Sequence, residues 1–493
     1  MNTFLKKLEH SADVWFLLMT SFFFFLFRLP SFFEPYWYGD EGVYEVVGYA
    51  MRHRRMLYQG IWDNKPPLLY LIYALFDGNQ PYVKFFSFLV GLTALYFFFA
   101  LSKLLFHNRK AVFFATGFFA LFLGLPLVEG NIANAENFMV LPAVAAAYLV
   151  VKTVKEEKYS LLPIFSAGLL LGISFLIKVV AVFDYATLFL FIGFLLFSWN
   201  KKTIQNIVGK LLTLSVGFFL PILITVLFFL SKGLLGTFIQ SAFLSNVGYV
   251  NYGNQFVLPF TKIIVPQGFL LIRLILLAVI TIFLFIKRKQ LSLPQLLTFL
   301  WVPFSLFSAL FSGRPYTHYM LVLLGSISLL IGLVFTKKTR IVAFVIFIAV
   351  CIFLGKTFSF YNKTVGYYEN FIGYITNTNT TSHYQSFFDA GVPRDYDVAE
   401  YINQNVKSNQ QVFLWTNSAQ IYYLIHRLPL TRYTVAYHMT TNNATLSETG
   451  YALETQKPRF IVILPNAPVF PFIMSDYVLK ISLHHALIYE RVL

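Results

Sequence analysis

Long apolar segments without charged side chains constrain this chain more than any other feature of its sequence. A helix that spans a bilayer needs about 20 apolar residues, and the chain offers about eleven such segments. Soluble domains average about 25% charged residues, whereas this chain of 493 residues has 12%. The sequence therefore predicts a polytopic α-helical membrane protein, with approximate spans at 12–33, 81–106, 111–128, 136–151, 161–177, 182–199, 206–230, 264–286, 293–312, 318–335 and 341–358.

The same composition excludes several other classes of protein. A soluble enzyme of two or three domains is incompatible with so many uncharged apolar runs, and a disordered chain is incompatible with 57% hydrophobic residues. Cys351 is the only cysteine, so a disulfide scaffold is excluded as well.

Clusters of lysine and arginine between the apolar segments predict the membrane topology. The net charge of +16 is concentrated in short loops near 6–7, 109–110, 201–202, 287–289 and 337–340. Basic loops stay on the cytoplasmic side, so the charge indicates topology and not a nucleic-acid partner. We expect a multi-pass protein of the plasma (inner) membrane, with an uncleaved cytoplasmic N-terminus and an outer first loop at 34–80.

The composition changes after about residue 359, where charged and polar residues return. The runs 411–415 and 460–464 have the length and the flanking turn residues of strands, and 397–406 has helical apolar spacing. We expect a membrane domain at 1–358 and a small extracytoplasmic α/β domain at 359–493.

Two short segments of the first outer loop predict helices that do not cross the membrane. Residues 66–76 are apolar but reach only half the length of a span. Between Asp40 and Arg55, Val43, Val46 and Ala50 recur at helical spacing, which predicts a short amphipathic helix on the outer membrane surface.

Polar residues in or beside the apolar segments are candidate functional positions, because their burial in a bilayer is costly. A proton relay would distribute acids through the membrane depth, whereas these residues all fall at outer ends of spans or in outer loops of the predicted topology. That placement predicts a site at the outer leaflet. The candidates are Asp40, Glu41, Lys65, Glu129, Glu136, Lys178, Asp184, Arg314 and His318.

The candidates of the first outer loop each allow a functional and a structural interpretation. Adjacent carboxylates at Asp40 and Glu41 suit a general base with an orienting or metal-binding partner, or Asp40 caps the helix that follows. Lys65 precedes two prolines, and a cation held at the headgroup level suits a phosphate. Simple snorkelling to the interface is the alternative for Lys65.

The later candidates also keep two interpretations. Arg314 offers a planar fork that matches phosphate oxygens, and His318 could donate a hydrogen bond, bind a metal or be structural. Glu136 could occupy the N-cap region of its span. Lys178 and Asp184 could form a mutual charge pair that lowers the cost of their burial.

The chain resembles the integral-membrane GT-C glycosyltransferases, in the bacterial branch that is similar to dolichyl-phosphate-mannose–protein mannosyltransferases and aminoarabinose–lipid A transferases. The segments that carry the resemblance cover most of the chain in the expected order. They are Tyr38-Gly-Asp40-Glu41-Gly-Val-Tyr44, Trp62-Asp-Asn-Lys65-Pro-Pro-Leu68, Ala135-Glu136-Asn137, Gly172-Ile-Ser-Phe-Leu-Ile-Lys178, Arg314-Pro-Tyr-Thr-His318-Tyr319 and Leu414-Trp-Thr-Asn-Ser-Ala-Gln-Ile-Tyr-Tyr423.

The resemblance implies an enzyme that takes a sugar from a polyprenyl-phosphate donor at the outer face and passes it to a protein, lipid or glycan. It implies that Asp40 is the general base and that Glu41 supports the site. It also implies that Lys65 and Arg314 hold the donor phosphate beside His318, with Tyr44, Glu136, Lys178 and Asp184 as further site candidates.

The resemblance leaves the metal open. In aminoarabinose transferases an acid precedes the lysine and helps to bind a metal, whereas this chain has Asn64 there. A divalent metal ion therefore remains an open question for this sequence.

Two other functions compete with this hypothesis. A transporter or flippase of a lipid-linked substrate predicts charges near the midplane and broken helices in symmetric halves, and the sequence shows neither. If the protein were a membrane sensor with an outer ligand-binding domain, Asp40, Glu41 and Lys65 would have no function in it.

Overall fold

Helices dominate the structure, a computed structural model that describes residues 2–156, 160–197, 200–257, 264–265, 267–337 and 339–492. The helices are α1 (Asn2–Arg28), α2 (Gly39–Arg52), α3 (Pro67–Leu75), α4 (Gln80–Leu105), α5 (Arg109–Gly124), α6 (Ala135–Lys155), α7 (Leu162–Ile177), α8 (Val182–Leu196), α9 (Lys201–Ser231), α10 (Leu235–Ile239), α11 (Ser245–Gly253), α12 (Gly268–Lys287), α13 (Leu293–Leu310), α14 (Leu324–Val334), α15 (Arg340–Thr357), α16 (Thr364–Ile375), α17 (Thr381–Phe388), α18 (Val392–Asn405), α19 (Gln420–Leu424), α20 (Ala436–Met439) and α21 (Asn443–Gln456). The strands are β1 (Phe256–Val257), β2 (Ile264–Val265), β3 (Val412–Trp415), β4 (Phe460–Ile463), β5 (Tyr477–Leu483) and β6 (Ala486–Arg491).

The chain divides into two compact units that do not follow the linear order of the sequence. The helical unit comprises Met1–Leu29, Phe85–Leu235 and Phe243–Thr364. The mixed unit comprises Pro30–Lys84, Gly236–Ala242 and Val365–Leu493. The first outer loop of the predicted topology thus belongs to the same unit as the C-terminal segment. The boundary near 358 and the extracytoplasmic position of 359–493 stay predictions.

Nine helical segments within the described residues are long and apolar enough to cross a membrane. They confirm a multi-pass helical membrane protein and match nine of the eleven predicted spans. The other two predicted spans, 111–128 and 161–177, correspond to α5 and α7, which have only 16 residues each. That length is short of the roughly 20 residues that a span needs, so the count of eleven is not confirmed.

The helical unit is built around α6, α13 and α14, whose side chains are mostly buried. By contrast, α9, α12 and α15 expose many leucine, isoleucine, valine and phenylalanine side chains, as expected of helices that face lipid. Glycines bring α7 and α9 into backbone contact. A Cβ atom at Gly168 would lie 2.1 Å from the Leu214 carbonyl oxygen, and one at Gly172 would lie 2.3 Å from that of Phe218. This is the small-xxx-small packing of membrane helices.

A four-stranded sheet lies in the mixed unit, with the strand order β3-β4-β6-β5. β3 and β4 pair in parallel, whereas β6 is antiparallel to both β4 and β5. The predicted strands at 411–415 and 460–464 are confirmed as β3 and β4, and the predicted helix at 397–406 is part of α18. The sequence missed the hairpin of β5 and β6, whose turn residues His484 and His485 both have positive φ.

The two short helices predicted for the first outer loop are confirmed as α2 and α3. Within the protein α2 is buried from Glu41 to Gly48, and its position at the outer membrane surface stays a prediction. Its polar side is covered by α19. A Cβ atom at Gly42 would lie 2.7 Å from the Gln420 side-chain oxygen and 3.0 Å from its backbone nitrogen. A larger residue at position 42 would require the Gln420 side chain to move and its backbone to give by a few tenths of an ångström.

Candidate active site

Asp40 lies in the first turn of α2 in the mixed unit, where its carboxylate is partly exposed. The N-cap residue is Tyr38, and no side chain caps the helix. The capping interpretation of Asp40 is therefore wrong, because α2 begins one residue earlier, at Gly39. The hydroxyl group of Tyr44, one helical turn later, donates a hydrogen bond to Asp40 Oδ2 at 3.2 Å.

Glu41 points away from that carboxylate and joins a buried ionic network. The ammonium group of Lys84 lies 2.5 Å from Glu34 Oε2 and 3.2 Å from Glu41 Oε2, and all three side chains are buried. Glu34 also accepts a hydrogen bond from Trp37 Nε1 at 3.0 Å and one from the Tyr367 hydroxyl group. Two carboxylates thus share one cation at the beginning of α2.

Glu45 follows Glu41 by one turn on α2 and is completely buried. Neither of its carboxyl oxygens has a hydrogen-bond partner among the described residues. Burial raises the pKa of Glu45 well above its usual value, and the charge of Glu41 raises it further. Burial therefore favours the neutral form of Glu45, and Lys84 forms its ion pairs with Glu34 and Glu41.

Lys65 directly precedes Pro66, the N-cap residue of α3, and Pro67, its first residue. Its ammonium group lies 4.9 Å from the centre of the Tyr44 ring and 3.7 Å from Asp63 Oδ2. The backbone of Lys65 is fixed on both sides, because its carbonyl oxygen accepts from the Tyr58 hydroxyl group and its N–H donates to that of Tyr70. The simple snorkelling interpretation does not fit a lysine whose side chain is only 22% exposed.

Asp63 and His438 also belong to this group, although neither residue was predicted from the sequence. Asp63 Oδ2 accepts a hydrogen bond from the Tyr70 hydroxyl group at 2.6 Å, and Asp63 Oδ1 lies 3.8 Å from His438 Nε2. Burial lowers the pKa of His438 to about 4, against an opposite effect of Asp63. Asp63 stands two residues before Lys65 and could have been noticed, whereas no motif surrounds His438.

The helical unit holds a second group of candidates. Lys178, at the end of α7, forms an ion pair with Glu136 in the first turn of α6, and its ammonium group lies 4.2 Å from the centre of the Tyr319 ring. His318 Nδ1 lies 2.9 Å from Glu129 Oε2. The predicted pair of Lys178 and Asp184 is wrong, because Glu136 is the partner of Lys178.

Asp184 and Arg314 complete the candidates in this unit. Asp184 accepts a hydrogen bond from Trp301 Nε1 at 2.8 Å, and it lines a small internal cavity together with Glu136. Arg314 follows Gly313, whose φ of +70° turns the chain after α13. Glu136 lies in the first turn of α6, two residues after the N-cap residue Asn134, so its predicted position in the N-cap region of that helix is confirmed.

The described residues contain no group of three or more His, Cys, Asp and Glu side chains that could hold a metal ion. Asn64 replaces the acid that would strengthen such a group beside Lys65. Within the described residues, the side chains near Asp40 therefore do not fit a resident metal.

Comparisons with known proteins relate this chain to membrane glycosyltransferases. The profile of the dolichyl-phosphate-mannose–protein mannosyltransferase family matches residues 65–229. No curated protein sequence matches the chain. The crystal structure of ArnT from Cupriavidus metallidurans, bound to undecaprenyl phosphate, aligns with a TM-score of 0.50 and 12% identity over 97% of this chain and 98% of that one.

A second solved structure, the archaeal oligosaccharyltransferase AglB from Archaeoglobus fulgidus in complex with an inhibitory peptide and a dolichol-phosphate, gives a TM-score of 0.48 at 12% identity. It covers 92% of this chain and 69% of that one. At 12% identity, the alignment with ArnT shows the fold alone. The resemblance predicted from the sequence is confirmed at the level of the fold, which this chain shares with ArnT.

Removal of the Lys84 ammonium group tests the buried ionic network. We expect Lys84→Met to lower the free energy of unfolding by about 3–5 kcal/mol, because it leaves two buried carboxylates without their cation. Lys103→Met is the matched control on the same helix, since Lys103 is half exposed in its pair with Asp13 and such pairs contribute at most about 1 kcal/mol. Equal losses in thermal unfolding of the purified variants would contradict the network.

The neutral state of His438 predicts a pH dependence of stability. Its pKa is about 4 in the folded protein and about 6.5 when unfolded, so the folded state binds fewer protons between these values. Stability from this group is complete above pH 6.5 and falls, by up to roughly 3 kcal/mol, as the pH approaches 4.

The variant His438→Gln isolates this contribution. Its unfolding temperature should fall less than that of the wild type between pH 7 and pH 4, whereas His383→Gln, at an exposed position on α17, should behave as the wild type. A His438→Gln protein with the wild-type acid dependence would contradict the neutral, buried histidine.

Proposed function

We propose that this GT-C-type membrane protein is a glycosyltransferase that moves a sugar from a polyprenyl-phosphate donor to an acceptor at the outer face of the membrane. One arrangement in the mixed unit carries the proposal. Tyr44 donates its hydroxyl hydrogen to Asp40, and its ring carries the ammonium group of Lys65 at 4.9 Å. A base and a cation suited to phosphate are thus joined by a single aromatic side chain.

Asp40 acts in this proposal as the general base. A partly exposed carboxylate can reach an acceptor hydroxyl or amine, and a positioned base accelerates such a transfer by roughly 10²–10⁴. Glu41 supports the site without touching substrate, since its carboxylate is buried against Lys84. The ion pair fixes the first turn of α2, and with it the Asp40 carboxylate.

Lys65 binds the phosphate of the donor. The acceptor oxygen or nitrogen attacks the anomeric carbon, its proton passes to Asp40, and the bond between that carbon and the phosphate oxygen breaks. The electron pair of that bond leaves on polyprenyl phosphate, which needs no proton of its own. A fixed cation stabilises the charge that develops on the leaving oxygen.

The candidates of the helical unit receive separate roles. Arg314 and His318 bind the donor phosphate as the resemblance implies, and Glu129 orients the imidazole of His318 through its contact with Nδ1. Glu136 and Lys178 neutralise each other and hold the end of α7 beside α6. Asp184 is a polar site candidate whose partner is Trp301. Each of these roles can be tested by substitution of the residue concerned.

The proposal is supported by the family profile and by the ArnT structure, whose descriptions name dolichyl-phosphate-mannose and undecaprenyl phosphate. It includes transfer of a hexosyl or a pentosyl group. It also includes residence in the plasma (inner) membrane, with a cytoplasmic N-terminus and an extracytoplasmic active site and C-terminal domain.

Release of polyprenyl phosphate tests the proposed activity. Purified protein is incubated with a panel of polyprenyl-phosphate sugars and acceptors, and the free carrier lipid is measured. We expect turnover by the wild type and a loss of at least about 10²-fold in Asp40→Asn, which keeps the shape but removes the base.

Asp77→Asn is the matched control, because Asp77 is an exposed carboxylate of the same unit and should keep wild-type turnover. Wild-type rates in Asp40→Asn would contradict the role of this residue. Movement of the intact donor across the membrane by both variants, with no release of carrier phosphate, would favour the flippase hypothesis instead.

A further inference from the structure

A cavity of about 500 Å³ lies in the helical unit, away from the candidates named above. It is a partly open cavity, bordered by the ends of α4 and α6, the beginning of α13 and the turn after α14. The same α6 begins at the Glu136 cluster and runs for 21 residues, so the cavity lies roughly 30 Å from that cluster. Its walls are Leu104, Leu105, Phe106, His107, Asn108, Lys155, Ser292, Leu293, Pro294, Phe335, Thr336 and Lys337.

The wall combines positive charge with apolar surface. Lys155, Lys337 and His107 contribute nitrogen atoms, and within the described residues the wall contains no Asp or Glu. Glu156 follows Lys155 along the chain but does not line the cavity. The remaining wall is largely leucine, phenylalanine and proline, which suits a ligand that is anionic at one end and apolar at the other.

The lysine side chains are able to bind an anion. Lys155 Nζ donates a hydrogen bond to the Leu104 carbonyl oxygen at 2.6 Å. An ammonium group has three N–H donors, so this bond uses only one of them. Lys155, Lys337 and His107 are all exposed.

The position of the cavity at the ends of helices identifies the ligand class. α4, α6 and α13 form spans, and α14 completes the span that ends at Val334, so their ends reach the headgroup level of a bilayer. The loops at this end also carry the basic clusters that predict the cytoplasmic side. Basic pockets between membrane helices on that side bind the headgroups of anionic lipids.

We propose that this cavity is a binding site for the headgroup of an anionic glycerophospholipid, held by Lys155 and Lys337 and separate from the donor site. The phosphate contacts the two ammonium groups, and the glycerol end lies against Phe106 and Phe335. Because the ends of four helices meet around the headgroup, its binding stabilises the folded protein.

Lipid binding to the full-length protein tests this site. The delipidated protein is titrated in uncharged detergent with phosphatidylglycerol, with phosphatidylcholine and with inorganic phosphate, and bound lipid is counted by native mass spectrometry. A lysine near a phosphate headgroup contributes about fivefold in affinity, so Lys155→Gln with Lys337→Gln should weaken phosphatidylglycerol binding about 25-fold. The double variant Lys287→Gln with Lys289→Gln removes the same charge outside the cavity and should bind as the wild type.

Each result supports or contradicts the site. Selective binding of phosphatidylglycerol that only the cavity variant loses supports it. Equal losses in both double variants indicate diffuse attraction and contradict it, as does unchanged binding in the cavity variant. Displacement of the lipid by millimolar inorganic phosphate would assign the cavity to a soluble phosphate compound instead. Lys337→Gln alone, which spares the bond of Lys155 to Leu104, should lose about fivefold and decides the matter if the double variant fails to fold.

Discussion

One buried ammonium group, that of Lys84, determines the geometry of the mixed unit. It contacts Glu34, which precedes α2, and Glu41 in the first turn of α2. Without this cation the two buried carboxylates would lack their opposite charge, and an unpaired buried charge is far more costly than a buried pair. The network therefore fixes the backbone at the beginning of α2. It thereby fixes the position of Asp40, which directly precedes Glu41.

Tyrosine side chains connect the beginning of α2 to Lys65, the proposed phosphate-binding residue, and hold it in place. Tyr44 lies one turn after Asp40 and carries Lys65 over its ring, while Tyr58 and Tyr70 hold the backbone of Lys65 from both sides. Asp63 receives a hydrogen bond from Tyr70 as well. Tyrosine suits this role because its ring buries apolar area and its hydroxyl group still finds a polar partner. The lysine is thus held before any ligand arrives, which lowers the cost of ordering it on binding.

The sequence predicted the features that depend on local pattern. Apolar runs gave the multi-pass helical class, and the spacing of Val43, Val46 and Ala50 gave α2. Ion pairs between segments that are distant along the chain could not be predicted from the sequence. Lys178 forms its ion pair with Glu136 and not with Asp184, and Glu41 pairs with Lys84. These pairs depend on which helix ends lie close together in the folded protein. His438 lacked any local pattern, since it reaches Asp63 only through the folding of the C-terminal segment onto the first loop.

The proposed role of Lys65 in binding the phosphate of a polyprenyl carrier can be measured as equilibrium binding of undecaprenyl phosphate to the purified protein. Lys65→Met should weaken binding by about 10- to 100-fold, the contribution of a charge-assisted hydrogen bond. Lys457→Met removes a half-exposed lysine of the same unit and should bind as the wild type. Wild-type affinity in Lys65→Met, or no binding of the carrier lipid by any of the three proteins, would contradict the account.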